Sequence, residues 1–259
     1  MRLAPAAGAL ALLVAATGCG GKDTGASHSH RERPDLTVAA ASSLQMPLAA
    51  YGQQFASARV RYSFAGSDQL AAQIERGVRP DVFASANTKL PDLLFGKGLV
   101  SKPVAFAANR LVVAVPARWA AVKAVRDLER ADVTIAIGSA AVPIGAYTRQ
   151  VLGRLPARRR ARILANVRSE EPDVNGVVGK LMQGAVDAGF TYATDVSATR
   201  GALKQIPLPE SLQPIVAYSA AVTRGAAHPA LARAFIRGLL TGTGRRYLLS
   251  AGFLPPLAR

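Results

Sequence analysis

Short apolar runs that end in Ser- or Gly-bearing turns, each followed by a stretch with helical spacing, dominate the chain from Asp35 onwards. The first run, Leu36–Ala41, has the length and composition of a buried strand, and Ser42 and Ser43 follow where a helix would be capped. A helix over residues 44–55 is predicted next, because apolar side chains recur there every three or four residues.

The same alternation continues to the C-terminus. Strands are predicted over 36–41, 60–64, 80–84, 110–115, 132–137, 188–192 and 215–222, and helices over 44–55, 69–76, 146–155 and 174–183, with two amphipathic helices in 229–249. Residues 139–145 are predicted to form a loop. Strand, polar turn and helix in repetition predict a parallel α/β organisation, whose ligands lie beyond the carboxyl ends of the strands.

The first 34 residues follow a different pattern. Arg2 precedes an apolar run over residues 3–16, and small residues then lead to Cys19, the only cysteine of the chain. The run is too short to span a bilayer comfortably, so it predicts a secretory signal over residues 1–18. Residues 19–34 are mostly Gly, Ser, His and charged residues, which predicts a flexible tether. No other run is long and charge-free enough to cross a membrane.

Cys19 ends the sequence Ala-Thr-Gly-Cys, which resembles the lipobox of bacterial lipoproteins. This resemblance implies that Cys19 is lipidated and anchors an exported protein to the cell membrane, facing the periplasm or the cell exterior. The alternative is ordinary signal cleavage near a lone cysteine. In either case the folded body lies outside the cytoplasm, which argues against binding to nucleic acid.

The composition predicts a globular protein that attracts anions. Half of the residues are hydrophobic and 19% are charged, which excludes a disordered chain. The 32 Lys and Arg outnumber the 16 Asp and Glu and give a net charge of +16. The cluster Arg154–Arg162 is the densest basic segment. It is either a solvated face or a docking surface for acidic lipids or for the membrane subunits of an importer.

No sequence pattern supports an enzyme. The chain has no Gly-x-Ser-x-Gly elbow, no Walker loop and no His-Glu-x-x-His. Outside the tether the only histidine is His228, far in sequence from the serines at the strand ends. Those serines stand instead at predicted helix N-termini, whose free N–H groups form anion sites.

A series of motifs resembles the periplasmic molybdate-binding proteins of ABC transporters. The matching segments are Thr37–Leu44, Phe64–Gly77, Pro80–Ala86, Asn109–Val113, Val142–Tyr147, Asp173–Val174, Gly189–Tyr192 and Gly252–Phe253. The resemblance implies the type II periplasmic binding protein fold, in which two crossover strands join two α/β lobes around a ligand cleft. The first lobe would comprise residues 35–112 and 217–259, and the second residues 113–216.

The resemblance also implies the ligand set. Ser43 and Ser67 would donate hydroxyl and backbone N–H groups, with Ser42 competing with Ser43 for the first role. Ile144 and Val174 would donate backbone N–H groups, and Tyr192 its hydroxyl. The family usually has Ala where Ile144 stands, which affects the shape of the pocket. Molybdenum would be held only through the oxygens of its oxyanion, with no direct metal ligand and no cofactor.

Neutral donors suit a fully deprotonated dianion. A protonated anion such as hydrogen phosphate needs an acceptor as well, so a donor-only site favours molybdate, tungstate or sulfate. Asp68 and Asp173 flank the proposed donors and are interpreted as residues that begin helices. We therefore expect a monomeric receptor that captures molybdate or tungstate and passes it to membrane permease subunits. The alternatives are a receptor for another oxyanion such as sulfate and a secreted hydrolase.

Overall fold

The computed structural model describes residues 33–118 and 122–256. The predicted signal sequence, Cys19 and residues 19–32 of the tether lie outside these ranges. The strands are β1 (Asp35–Ala41), β2 (Arg59–Ala65), β3 (Val82–Ser85), β4 (Val104–Asn109), β5 (Leu111–Pro116), β6 (Ile135–Gly138), β7 (Val167–Glu171), β8 (Ala188–Tyr192), β9 (Leu203–Pro207) and β10 (Val216–Val222). The helices are α1 (Gln45–Gln53), α2 (Ser67–Glu75), α3 (Lys89–Gly96), α4 (Pro143–Gly153), α5 (Ala157–Ala165), α6 (Val174–Met182), α7 (Ala193–Ala198), α8 (Pro229–Thr241) and α9 (Thr243–Ser250).

These strands form two five-stranded sheets, one in each lobe. The first has the order β2-β1-β3-β10-β4 and the second the order β7-β6-β8-β5-β9. Each sheet is mixed, not parallel as the alternating pattern predicted. In the first sheet β10 runs antiparallel to β3 and β4, and in the second β5 runs antiparallel to β8 and β9. With β5 the chain enters the second lobe, and with β10 it returns to the first.

The chain passes from the first sheet to the second at Arg110, between β4 and β5. Val112, where the first lobe was expected to end, therefore lies inside β5 and belongs to the second sheet. The chain returns through residues 208–215 into β10. No helix in the described ranges is both long enough and apolar enough to span a membrane.

In each lobe a Thr and an Asp form hydrogen bonds that connect two neighbouring parallel strands. In the first lobe the N–H and the hydroxyl of Thr37 both donate to Asp81 at 2.8 Å, and the N–H of Asp81 donates back to the Thr37 hydroxyl at 3.0 Å. Thr134 and Asp187 repeat this arrangement in the second lobe, with distances of 2.7–3.1 Å. Each pair lies where its strands begin, so the opposite, carboxyl ends are free to form a site.

Helix α4 begins at Pro143, three residues earlier than predicted, and the expected loop is correspondingly shorter. Proline is favoured at the first position of a helix because its missing N–H would have no partner there. The same turn also needs Gly145, since a Cβ at that position would collide with the carbonyl groups of Ser139 and Gly138. Ile144 therefore lies in the first turn of a helix that packs closely on the end of β6.

Candidate functional site

A small cavity of about 20 Å³ lies between the lobes, at the carboxyl ends of β1, β2 and β8. All six residues that the resemblance proposed as ligands line it: Ser42, Ser43, Ser67, Ile144, Val174 and Tyr192. They come from five separate segments of the chain. Their convergence is a finding of the structure, and their contact with a ligand remains a prediction.

Three helices begin at this cavity, with Ser67 in the first turn of α2, Ile144 in that of α4 and Val174 in that of α6. The first N–H groups of a helix have no partner within it, and they carry the positive end of the helix dipole. No side chain caps α2 or α4. These N–H groups therefore surround the cavity with neutral donors, and the helix dipoles give the cavity a positive potential that favours an anion.

Ser67 has a role different from the helix cap that the sequence suggested. It is the first residue of α2, and its hydroxyl oxygen accepts a hydrogen bond from the N–H of Ala86 at 3.1 Å. The side chain is almost fully buried. Because the oxygen already accepts from Ala86, the hydroxyl proton of Ser67 is available to the cavity.

Ser42 and Ser43 also do not cap a helix through their side chains. They form a buried 3-10 turn before α1. The hydroxyl of Ser43 lies 3.1 Å from the hydroxyl of Tyr218, a fully buried residue of β10. Sequence analysis missed Tyr218, because the two residues are 175 positions apart and no local pattern connects them.

The hydroxyl of Tyr192 is buried, and it has no hydrogen-bond partner among the described residues. Burial, with smaller contributions from Tyr218 and Tyr147, raises the pKa of Tyr192 well above its ordinary value. The phenol is therefore neutral and can donate. A buried hydroxyl without a partner costs about 1–3 kcal/mol, so this group is suited to a ligand that supplies an acceptor.

Two carboxylates near the cavity, those of Asp173 and Asp195, accept hydrogen bonds from main-chain N–H groups at helix starts. Asp173 caps α6 by accepting from the N–H of Gly176 at 3.1 Å, as its interpretation as a helix-start residue predicted. Asp68 lies in the first turn of α2 outside the cavity lining, and its buried Oδ1 has no hydrogen-bond partner among the described residues. Asp195 accepts from the N–H of Tyr192 at 2.9 Å. Burial, together with the nearby charge of Asp173, raises the pKa of Asp195 to about 7.

A larger groove of about 600 Å³ adjoins the cavity and shares Ser42 and Ser43 with it. Its walls include apolar side chains such as Met46 and Phe253, and also Asp195. We assign the anion site to the small cavity, because the first turns of α2 and α4 lie there and not in the groove. A site for a drug-sized organic molecule is usually about 300–1,000 Å³, far more than the small cavity provides.

The geometry gives no support to a Ser–His nucleophilic pair. The main-chain N–H of His228 donates to Asp81 at 2.7 Å, where β3 begins. The cavity serines lie at the opposite end of the same sheet. Within residues 33–118 and 122–256, no group of three or more His, Cys, Asp or Glu side chains is placed to hold a metal ion.

Comparisons with known proteins identify a family and relatives for this chain. The family model for bacterial extracellular solute-binding proteins matches residues 36–254. The molybdate-binding protein ModA of Mycobacterium tuberculosis is 33% identical over 227 residues, which cover 85% of both chains.

Two solved structures share the fold. The periplasmic molybdate-binding protein of Azotobacter vinelandii has a TM-score of 0.77 and 23% identity, over 86% of this chain and 100% of that chain. The sulfate-binding protein SubI of Mycobacterium tuberculosis has a TM-score of 0.73 and 16% identity, over 86% of this chain and 87% of that chain. The fold is therefore that of the two-lobe periplasmic binding proteins. From the span of the family match and the identity to the mycobacterial relative, the chain belongs to the bacterial extracellular solute-binding protein family, together with the molybdate-binding proteins.

Proposed function

We propose that this protein captures molybdate or tungstate outside the cytoplasm and delivers it to the membrane permease subunits of an ABC importer. The observation that carries the proposal is the buried hydroxyl of Tyr192, which has no partner among the described residues and belongs to a cavity lined by Ser43, Ser67 and three helix N-termini. Such a hydroxyl needs an acceptor, and every oxygen of a fully deprotonated tetrahedral oxyanion can accept a hydrogen bond.

The donor set favours a fully deprotonated dianion. Hydrogen bonds to a charged partner contribute roughly 1.5–3 kcal/mol each, and most of that total is offset by desolvation and by closure of the lobes. The Asp173 carboxylate caps α6, so the lining does not offer it freely to a protonated anion. The relatives named above as molybdate-binding proteins support the identity of the ion.

The location and the partners of the protein are part of the same proposal. We propose that Cys19 is lipidated, that the body acts as a monomer beside the membrane, and that no cofactor is involved. The family match to extracellular solute-binding proteins supports export and a binding rather than a catalytic role. Of the basic cluster, Arg159 and Arg162 pair with Glu129 at 2.6 and 3.8 Å, whereas Arg158 and Arg160 are exposed on α5.

Equilibrium dialysis against molybdate tests the proposal, with the bound molybdenum measured by elemental analysis. The account predicts one molybdate per chain, displaced by tungstate and retained in a large excess of sulfate. Sulfate is the most informative competing ion, because it is also a dianion that accepts hydrogen bonds without donating any. Displacement of molybdate by equimolar sulfate would instead identify a receptor for sulfate, and absence of any bound molybdenum would contradict the proposal.

A further inference from the structure

The two lobes meet beside the cavity at Gly66, the residue between β2 and α2 of the first lobe. A Cβ at Gly66 would lie 2.6 Å from the carbonyl oxygen of Pro172 and 3.3 Å from the side chain of Val142. Pro172 lies between β7 and α6, and Val142 directly precedes α4, so both belong to the second lobe. At this point the lobes are too close together for any side chain on Gly66.

The contact at Gly66 is close to proposed donors of both lobes. In the first lobe Ser67 follows Gly66 directly. In the second lobe Ile144 and Val174 each lie two residues beyond the residues that a Cβ on Gly66 would meet. The separation of the lobes at Gly66 therefore sets the distance across the cavity between the donors of one lobe and those of the other.

Gly66 is needed here for space and not for its backbone conformation. Its φ of −57° and ψ of 136° are open to any residue. An alanine at 66 would therefore fit when the lobes are apart. It would collide with the main-chain carbonyl of Pro172 only when the lobes close.

The carboxylate of Asp68 faces the same contact. Its Oδ1 lies 2.8 Å from the position of the Cβ on Gly66, is buried, and has no hydrogen-bond partner among the described residues. The carbonyl oxygen of Pro172, beside the same position, can only accept hydrogen bonds, as a carboxylate does. Closure of the lobes therefore brings two acceptors together and removes Oδ1 from water, and both effects oppose closure.

We propose that Asp68 opposes closure of the lobes, so that the closed form depends on the bound oxyanion, and that Gly66 sets how closely the lobes approach. The inference rests on the proposed function, because closure encloses the proposed anion site. When the closed form is only partly populated without ligand, the apparent affinity is reduced by that fraction. Asp68 thus limits the affinity for the anion and favours its release to the permease.

The variant Asp68→Asn tests the role of the carboxylate. Its side-chain NH₂ can donate to the carbonyl of Pro172, so the lobes should close more readily. At pH 8 we expect the dissociation constant of molybdate, measured by isothermal titration calorimetry, to fall about tenfold. Asp92→Asn is the matched control, because Asp92 also lies in the first turn of a first-lobe helix, α3, but is exposed.

The protein without ligand separates closure from simple charge effects. Removal of a negative charge near the site would strengthen anion binding even if closure were unchanged. We therefore expect small-angle X-ray scattering of unliganded Asp68→Asn to give a radius of gyration shifted from that of the unliganded wild type toward that of the molybdate-bound wild type. The control Asp92→Asn should show no such shift.

The variant Gly66→Ala tests the approach of the lobes. It should raise the dissociation constant of molybdate at least tenfold and reduce the compaction that molybdate causes in the wild type. The melting temperature of the unliganded protein should not fall, because alanine suits this backbone conformation. Gly96→Ala is the control, since Gly96 is exposed at the end of α3 and a Cβ there meets nothing within 4 Å.

Two results would overturn the inference and leave the proposed function intact. One is an unliganded Asp68→Asn protein with the radius of gyration of the unliganded wild type, since its charge alone would then explain any gain in affinity. The other is wild-type affinity for molybdate in Gly66→Ala. Absence of molybdate binding by the wild type would overturn the proposed function itself.

Discussion

The main-chain N–H of Tyr192 donates to the carboxylate of Asp195 at 2.9 Å, and the hydroxyl of the same tyrosine belongs to the cavity lining. Asp195 is buried, and burial is the main reason why its pKa is raised to about 7. A carboxyl that titrates near neutral pH therefore lies within one turn of a proposed donor. Two predictions about pH depend on this relationship.

Stability should fall as the pH rises from about 4 to about 7. The folded-state pKa of Asp195 lies above the ordinary value of 3.8, so the folded protein holds this proton more tightly than the unfolded chain does. The favourable contribution is complete below pH 4 and lost above pH 7. Urea unfolding at pH 5 and pH 8 should show that Asp195→Asn removes roughly 2–4 kcal/mol of this difference. The exposed Asp132→Asn is the control, and an equal effect of both variants would contradict the assignment.

Affinity for the dianion should also fall as the pH rises through 7. A bound negative charge near Asp195 favours its protonated form, so binding takes up protons near neutral pH. Calorimetry of molybdate binding in two buffers with different ionisation enthalpies would measure this uptake. Asp195→Asn should remove it, because an amide does not titrate in this range. Uptake that persists unchanged in the variant would show that another group is responsible.

Tyr192→Phe should weaken binding without unfolding the protein. The hydroxyl has no partner among the described residues, so its removal breaks no internal hydrogen bond. We expect the dissociation constant of molybdate to rise about tenfold to a hundredfold, from the loss of one donor to a charged ligand. The melting temperature of the protein without ligand should stay the same or rise. Wild-type affinity in this variant would remove Tyr192 from the site.

Ser67→Ala should reduce both affinity and stability. Its hydroxyl proton is available to the cavity, and its oxygen accepts from the buried N–H of Ala86. Loss of the hydroxyl proton should weaken molybdate binding about tenfold. Loss of the acceptor for the Ala86 N–H should lower the free energy of unfolding by about 1–2 kcal/mol. Ser63→Ala, at an exposed position of β2, is the control for both measurements. Loss of stability with unchanged affinity would reduce Ser67 to a structural role.

The ends of the strands were the part of the site that sequence could predict. Ser43, Ser67 and Tyr192 each follow an apolar run, and strands that share a sheet bring such turns to one edge. Periodicity also predicted the long, strongly apolar elements, such as β1 and β10. It missed three edge strands: β4 of the first sheet, and β7 and β9 of the second, which carry many polar side chains.

The side chains that contact the proposed ligand residues from outside the cavity were not predictable from sequence. Tyr218 contacts Ser43 because β10 and the end of β1 lie in one sheet on either side of β3, which brings together residues 175 positions apart, and nothing in the local pattern near β10 indicates it. The burial of Asp195 likewise depends on how α7 packs. Sequence reasoning expected helix caps from Ser42 and Ser43, whereas these residues form a 3-10 turn without a side-chain cap.

Thermal unfolding of the protein with molybdate, tungstate, sulfate and phosphate in turn tests the central claim most directly. A ligand present at 100 times its dissociation constant stabilises the folded state by about 2.7 kcal/mol, which shifts the melting temperature visibly. The account predicts a rise with molybdate and tungstate and no comparable rise with sulfate or phosphate at the same concentration. A rise with phosphate, or none with molybdate, would contradict a donor-only oxyanion site formed by Ser43, Ser67 and Tyr192.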